Sequence, residues 1–155
     1  MLDQNTSAQL KTLLERLEGP IELVATLNGS EKSDKIKELV EEVAALSPLV
    51  TARFDGQNSR APSFGVAKAG EEPRVFFAGL PMGHEFTSLI LALLQTSGYA
   101  PKVSDEVLAS IKALGIQSDF DVFVSLSCHN CPDVVQALNL IAIYNPGTTA
   151  TMIDG

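Results

Sequence analysis

One order of elements occurs twice in this chain, and the repeat constrains the fold more than any other feature of the sequence. Each half predicts a helix, an apolar strand that opens into a turn, a second helix and a second strand. VATL at 24–27 corresponds to VSLS at 124–127, and FDG at 54–56 corresponds to IDG at 153–155. Because four elements recur in the same order with similar lengths, the sequence predicts two related α/β units in tandem.

The first unit is predicted to carry more elements than the second. In chain order they are a helix at 6–18, a strand at 21–27, a helix at 31–46, strands at 49–54, 63–68 and 74–80, and a helix at 83–96. The second unit is predicted to contain a helix at 104–114, a strand at 119–127, a helix at 131–143 and a strand at 148–153. We therefore place the first unit at 1–98, a linker at 99–103 and the second unit at 104–155.

The second unit is predicted to stop after its second strand, without counterparts of the last two strands and the last helix of the first unit. Such a unit has an unpaired strand edge. It also has an uncovered apolar face, formed by Val122, Val124 and Leu126 or by their neighbours that face the opposite way. We expect the first unit to be stable alone, and the second to exchange its amide hydrogens quickly or to pair between chains.

Composition and charge exclude several classes of protein. The formal net charge of −8 and the isoelectric point near 4.6 argue against binding to nucleic acid. No apolar run approaches the roughly 20 residues that span a bilayer, which argues against a membrane protein. The first residues, MLDQNTSAQL, have neither a basic segment nor an apolar core, so we expect no signal sequence there. We therefore expect a cytoplasmic protein with a hydrophobic core.

The two cysteines of the chain, Cys128 and Cys131, lie at a predicted strand-to-helix junction. Three interpretations are open: a metal site, two inert core residues and a redox pair. Tetrahedral zinc needs four ligands, but the only histidines are His129, between the cysteines, and His84 in the other unit. Buried cysteines do behave as small apolar residues, but a Cys-x-x-Cys pair before a helix is more often reactive.

The redox interpretation has a physical basis in the position of the pair. The free N–H groups and the dipole of the following helix favour a thiolate at Cys128, which lowers its pKa below the value of about 8.5 of a free cysteine. Cys131 then closes the Cys128–Cys131 disulfide, and His129 adds positive charge nearby. A Cys-x-x-Cys beside a strand–helix unit is typical of the thioredoxin-like fold.

The matching turn of the first unit, residues 28–31, contains Asn-Gly-Ser-Glu and no cysteine. The first unit is therefore predicted to carry no thiol chemistry. It does contain Ala61-Pro62 directly before a predicted strand, where thioredoxin-like folds have a cis-proline that faces the active site. We expect the Ala61–Pro62 bond to be cis, and the second unit contains no counterpart of it.

Two segments, SLSCHNCPDVVQALNLIA at 125–142 and GHEFTSLILALL at 83–94, give the chain a specific resemblance. Together with IELVATL at 21–27 and KSDKIKELV at 32–40, they resemble the N-terminal domain of the flavoprotein component of bacterial alkyl hydroperoxide reductase. The resemblance runs along the whole chain. It implies two tandem thioredoxin-like folds, of which only the second keeps the Cys-His-Asn-Cys centre.

The resemblance also implies a function. In that family electrons pass from NADH through FAD to a second cysteine pair and then to the N-terminal pair, here Cys128 and Cys131, which reduces the disulfide of a peroxiredoxin subunit. The implied partners are that peroxiredoxin and the flavin domain of the same polypeptide, in a homodimer. The chain contains no Gly-x-Gly-x-x-Gly fingerprint, so we expect FAD and NADH to bind outside it. Two other classes stay open: a general thioredoxin- or glutaredoxin-like disulfide reductase, and a non-catalytic docking module.

Overall fold

The computed structural model describes residues 2–125, 127–128 and 130–154. Its helices are α1 (Gln4–Leu14), α2 (Glu31–Ala45), α3 (Phe86–Thr96), α4 (Asp105–Lys112) and α5 (Cys131–Tyr144), and a 3-10 turn (Gly83–Glu85) precedes α3. Its strands are β1 (Ile21–Thr26), β2 (Val50–Arg53), β3 (Ser63–Lys68), β4 (Val75–Ala78), β5 (Ser118–Val124) and β6 (Thr148–Asp154). The elements follow the predicted order, and their ends shift by a few residues.

Side-chain caps decide where several of the helices begin. Helix α1 starts at Gln4, earlier than predicted, because the Asp3 carboxylate accepts the N–H of Thr6 at 2.6 Å. Ser30 caps α2 and Ser104 caps α4 in the same way. Helices α3 and α5 are different, because no side chain makes a capping hydrogen bond at their starts. A 3-10 turn leads into α3, whereas the start of α5 lies at the cysteine pair.

The six strands described form one sheet in the order β2-β1-β3-β4-β6-β5. Strand β3 runs antiparallel to its neighbours β1 and β4, and the pairs β1–β2, β4–β6 and β5–β6 are parallel. Every strand except β3 therefore ends at the same edge of the sheet. Helices α2 and α5 both begin at this edge, where α/β sheets commonly bind ligands.

The two faces of the sheet differ in what covers them. One row of paired residues crosses all six strands, and all of them except Phe120 belong to the hydrophobic core or pack against it: Ala52, Leu23, Val66, Val75, Ala150 and Phe120. The next row faces the other way: Arg53, Val24, Gly65, Phe76, Thr151 and Asp121. Apart from Gly65, this second row lines an open cleft of about 820 Å³. A Cβ on Gly65 would lie 2.8 Å from the Phe76 ring, so the close approach of that ring requires glycine.

The two halves of the chain share this sheet, because β6 of the second half pairs with β4 of the first. Arg74, just before β4, adds a second link: its Nε and Nη2 donate to the carbonyls of Ala142 and Ile143 at 2.8 and 2.9 Å. These are carbonyls of the last turn of α5, which lack helical partners. The proposed division at residues 99–103 therefore separates units that are in contact, and it stays a prediction.

The second half has an uncovered apolar residue, but on one face of β5 only. The prediction that Val122 and Val124 are uncovered is wrong, because Val124 is buried and Val122 packs against the core beneath α5. The alternative, an uncovered residue facing the opposite way, is confirmed at Phe123, which is 66% exposed. The expected unpaired edge is β5, whose one neighbour among the described residues is β6. Leu126 lies outside those residues.

Candidate functional site

The two cysteines lie where β5 leads into α5. Strand β5 ends at Val124, and Cys131 is the first residue of α5. Cys128 and Cys131 form a disulfide across this turn, with their Cα atoms 5.6 Å apart. The pair therefore lies at the carboxyl edge of the parallel strands, as the sequence pattern predicts.

The amino end of α5 is directed at one of the two sulfurs. Asn130 occupies the N-cap position without a side-chain capping bond, and Pro132 has no N–H that needs a partner. The N–H of Cys131 donates to Cys128 Sγ at 3.3 Å. Because the amino end of a helix carries partial positive charge, this contact stabilises negative charge on Cys128 Sγ after reduction. The geometry favours Cys128 as the thiolate.

The surroundings of the two sulfurs also differ. Both cysteines are half-buried, but Cys131 packs against the hydrophobic core. Cys128 is fixed in the turn by its own N–H, which donates to the Ser125 carbonyl at 2.9 Å. The hydroxyls of Ser125 and Ser127 are hydrogen-bonded to each other at 3.0 Å. His129, predicted to support the thiolate, lies outside the described residues.

Glu85 is a candidate that the sequence analysis did not single out. It is fully buried, and the 3-10 turn that it ends contacts α5. Its Oε1 accepts a hydrogen bond from Ser88 Oγ at 2.8 Å, while its Oε2 has no partner among the described residues. Burial raises the pKa of the Glu85 carboxyl above its ordinary value of 4.5, and Ser88 and His84 oppose this effect more weakly.

Hydrogen bonds connect Glu85 to the helix that carries Cys131. Nε2 of Gln136 on α5 donates to Ser88 Oγ at 3.2 Å, and Ser88 Oγ in turn donates to Glu85. The carboxyl group therefore lies at the contact of α5 with the start of α3. One sequence signal points to it: Glu85 is a single acidic residue directly before the apolar segment at 86–94. Acidic residues are seldom fully buried, so the position is a candidate for function.

At the matching turn of the first half, hydrogen bonds between side chains and backbone take the place of the disulfide. Ser30 Oγ accepts the N–H of Ser33 at 3.2 Å and so caps α2. Oδ1 of Asn28 accepts the Ser30 N–H at 3.1 Å and the Ser33 hydroxyl at 2.9 Å. Gly29 between them has a φ of 77°, which glycine adopts without strain. These hydrogen bonds cap the first turn of α2 at the N–H of Ser33 and fix the turn before it.

The Ala61–Pro62 bond is cis, as expected. The carbonyl of Ala61 accepts a hydrogen bond from Asn28 Nδ2 at 3.2 Å, which holds the proline loop beside the turn before α2. Pro62 lines a pocket there, and neither cysteine is among the residues that line it. The structure thus places Pro62 at the turn of the first half, and its supporting role in the redox chemistry stays a prediction.

The resemblance implies FAD and NADH, and the described residues do not fit them. A dinucleotide pyrophosphate needs closely spaced glycines and free N–H groups at the amino end of a helix. The turn before α2 has Gly29 alone and is occupied by Asn28 and Ser30, and the turn before α5 holds the disulfide. Within the described part of the chain, no three His, Cys, Asp or Glu side chains cluster as metal ligands would. No helix in that part is both long and apolar enough to cross a membrane.

Curated proteins resemble this chain along its whole length. It is 51% identical over 155 residues to the F-subunit of alkyl hydroperoxide reductase in Pseudomonas putida. That alignment covers 100% of this chain and 30% of the relative, so the chain spans about a third of the length of the curated relatives that it matches. No protein-family model matches the chain.

Solved structures share the fold. The NTD_N/C domain of alkylhydroperoxide reductase AhpF from Enterococcus faecalis is 29% identical, with a TM-score of 0.88 over 99% of this chain and 80% of that one. A protein disulfide oxidoreductase from Aeropyrum pernix has a TM-score of 0.76 at 20% identity, over 97% of this chain and 76% of that one, which shows the fold alone. The predicted thioredoxin-like α/β fold is confirmed, and so is the resemblance to the N-terminal domain of AhpF.

Proposed function

We propose, from the chain's homology along its whole length to part of AhpF, that it is a thiol–disulfide oxidoreductase domain that reduces a peroxiredoxin. The observation that carries the proposal is the N–H of Cys131 donated to Cys128 Sγ at the uncapped start of α5. It gives one sulfur the environment of a nucleophilic thiolate, while the other lies against the core, where it can close the disulfide.

The reaction is two successive thiol–disulfide exchanges. The Cys128 thiolate attacks one sulfur of the partner disulfide, that S–S bond breaks, and the departing partner thiolate takes up a proton. A mixed disulfide now joins Cys128 to the partner. Cys131 loses its proton and attacks Cys128 Sγ, which releases the second partner thiolate. Two electrons have then passed to the partner, and the Cys128–Cys131 disulfide has formed.

The next cycle needs a donor of two electrons, and the described residues provide no site for one. We assign that role to a flavin domain of the same longer polypeptide, which would receive the electrons from NADH through FAD. We propose that this polypeptide forms a homodimer in the cytoplasm. The peroxiredoxin subunit of alkyl hydroperoxide reductase is the proposed acceptor, and through it alkyl hydroperoxides and hydrogen peroxide are reduced. Residues 1–98 and 104–155 are the proposed thioredoxin-like units, and the second carries the chemistry.

A single-turnover experiment tests this proposal. The chain is reduced with dithiothreitol, freed of reductant and mixed with the oxidised peroxiredoxin subunit, and new peroxiredoxin thiols are counted over time. We expect one disulfide reduced per chain, and a stable mixed disulfide when Cys131→Ser is used. Cys128→Ser should form no mixed disulfide. Transfer that survives in Cys128→Ser, or none in the unmodified chain, would contradict the proposal.

The general disulfide reductase is the competing function, favoured by the structural likeness to a protein disulfide oxidoreductase. The same experiment with oxidised insulin in place of the peroxiredoxin separates the two. A dedicated donor reduces the peroxiredoxin at least about tenfold faster, because only that partner supplies a complementary surface. Equal rates on both proteins would favour the general reductase.

A further inference from the structure

A pocket of about 550 Å³ opens beside the amino end of α2, at the same edge of the sheet as the cysteines but apart from them. Its floor is apolar and is formed by Ile36 on α2, Pro62, Leu80 after β4 and Ile153 near the end of β6. The proposed steps of the thiol–disulfide exchange involve none of Ile36, Leu80 and Ile153. A volume of this size suits an organic ligand or a short peptide segment rather than a single ion.

Positive charge borders this floor on two sides. Lys32 and Lys35 lie one turn apart on α2, and neither has an ion-pair partner among the described residues. Arg60 lies on the facing loop and pairs with Asp121 at 3.2 Å. Asp154 is the one acidic residue in the lining. The residues that line the pocket therefore carry a net positive charge, although the net charge of the chain is −8.

We infer that this pocket binds an acidic, extended peptide segment of a partner protein, with an apolar side chain between two carboxylates. The apolar side chain covers the floor at Ile36 and Pro62. One carboxylate faces Lys32 and Lys35, and the other faces Arg60. Cations on opposite sides of an apolar floor match a ligand that carries more than one carboxylate, and complementary charge sets its orientation.

This inference goes beyond the proposed redox function and does not depend on it. It gives the first half, which has no cysteine, a binding role of its own. The network of Asn28, Ser30 and Ser33 fixes the α2 turn, and the Asn28 bond to Ala61 fixes the proline loop, so two walls of the pocket are held in place. A pocket held in this way loses little freedom on binding, which favours affinity.

Fluorescence anisotropy with a fluorescein-labelled Glu-Asp-Leu-Glu-Asp peptide tests the inference on the Cys128→Ser chain, which cannot form the Cys128–Cys131 disulfide. We expect saturable binding at low salt, weaker by at least about tenfold for the neutral Gln-Asn-Leu-Gln-Asn peptide. The double variant Lys32→Glu and Lys35→Glu should weaken binding of the acidic peptide by about tenfold or more. Lys32 and Lys35 are both exposed, so this double variant should fold.

The matched control is Lys11→Glu with Lys102→Glu, which changes the net charge equally but away from the pocket. This control should change the affinity by less than about twofold. Equal weakening in both double variants, or equal binding of the neutral peptide, would overturn the inference. So would free succinate that competes as well as the peptide. Analytical ultracentrifugation gives a further outcome that would overturn the inference. If the chain is a dimer that the substitutions at Lys32 and Lys35 dissociate, the pocket binds a second copy of the chain.

Discussion

The turns at 27–31 and 125–131 occupy matching places in the two halves and satisfy their helices in different ways. Before α2, the side chains of Asn28 and Ser30 accept the backbone N–H groups of Ser30 and Ser33. Before α5 no side chain caps the helix, and the first N–H donates to Cys128 Sγ. The same order of strand, turn and helix therefore gives a turn held by side-chain hydrogen bonds in one half. In the other half it gives a sulfur that accepts a hydrogen bond from the amino end of a helix.

The two turns differ in the capping of their helices as well as in sulfur. A helix whose amino end is already capped has less positive potential to offer an approaching anion, because its N–H groups are engaged. At α5 the absence of a cap leaves that potential for the thiolate. The cost is a less stable helix start, which the packing of Val135 and the hydrogen bonds from Arg74 at the other end offset.

The largest expected effect separates the two turns by chemistry. Cys128→Ser should lower the rate of disulfide transfer to a peroxiredoxin by at least about a thousandfold, because the nucleophile is lost. Ser30→Ala, at the matching turn, should change that rate by less than about twofold, measured under conditions where both variants are folded. A large loss of transfer in Ser30→Ala would show that the first turn takes part in the chemistry.

The second prediction compares the strands that lead into the two turns. Strand β1 has a neighbour on each side, β2 and β3, whereas β5 pairs with β6 alone among the strands described. Amide hydrogens of β5 that do not face β6 should exchange at least about a hundredfold faster than those of β1, because they open by local fluctuation. Hydrogen exchange followed by mass spectrometry measures this. Equal protection of both strands would mean that something covers the β5 edge.

The third prediction compares the caps directly by stability. Ser30→Ala should lower the free energy of unfolding by about 1 kcal/mol, because the cap of α2 is lost. Asn130→Ala should change it by less than about 0.5 kcal/mol, since its side chain caps nothing. Urea unfolding of both variants gives the two values. Equal losses would contradict the difference between the turns.

The smallest expected effect concerns the buried carboxyl group of Glu85, at the end of the 3-10 turn that contacts α5. The raised pKa of Glu85 means that the folded state holds this proton more tightly than the unfolded state. The resulting stabilisation is complete below the ordinary value of 4.5 and is lost as the pH rises through the higher pKa of the folded protein. Glu85→Gln cannot titrate, so its stability should fall less than that of the unmodified chain between about pH 4 and about pH 8. Parallel pH curves would show that Glu85 is not perturbed.

Much of the fold and the cysteine pair were predictable from sequence, because both depend on local order. Apolar periodicity located the strands and helices, and the Cys-x-x-Cys pattern located the cysteine pair at a strand-to-helix junction. The cis bond before Pro62 was predicted from the place that a cis-proline has in thioredoxin-like folds, directly before a strand. The helices, the strands and the cysteine pair, by contrast, are set by neighbouring residues in the chain.

The remainder depends on contacts between distant residues. The pairing of β6 with β4 joins the two halves. The apolar pattern of either strand does not indicate which strand of the other half it pairs with. The exposure of Phe123 follows from the alternation in β5, but only once α5 is known to cover Val122 and Val124. Burial of Glu85 likewise depends on α5, which lies far along the chain.

The central claim is that the uncapped start of α5 makes Cys128 the thiolate, and alkylation tests it most directly. The reduced chain is treated with limiting iodoacetamide at a series of pH values, and the label on each cysteine is measured by peptide mass spectrometry. We predict that Cys128 is labelled first, with a midpoint clearly below the value of about 8.5 of a free cysteine. Equal labelling, preference for Cys131, or a Cys128 midpoint at or above about 8.5 would contradict the account.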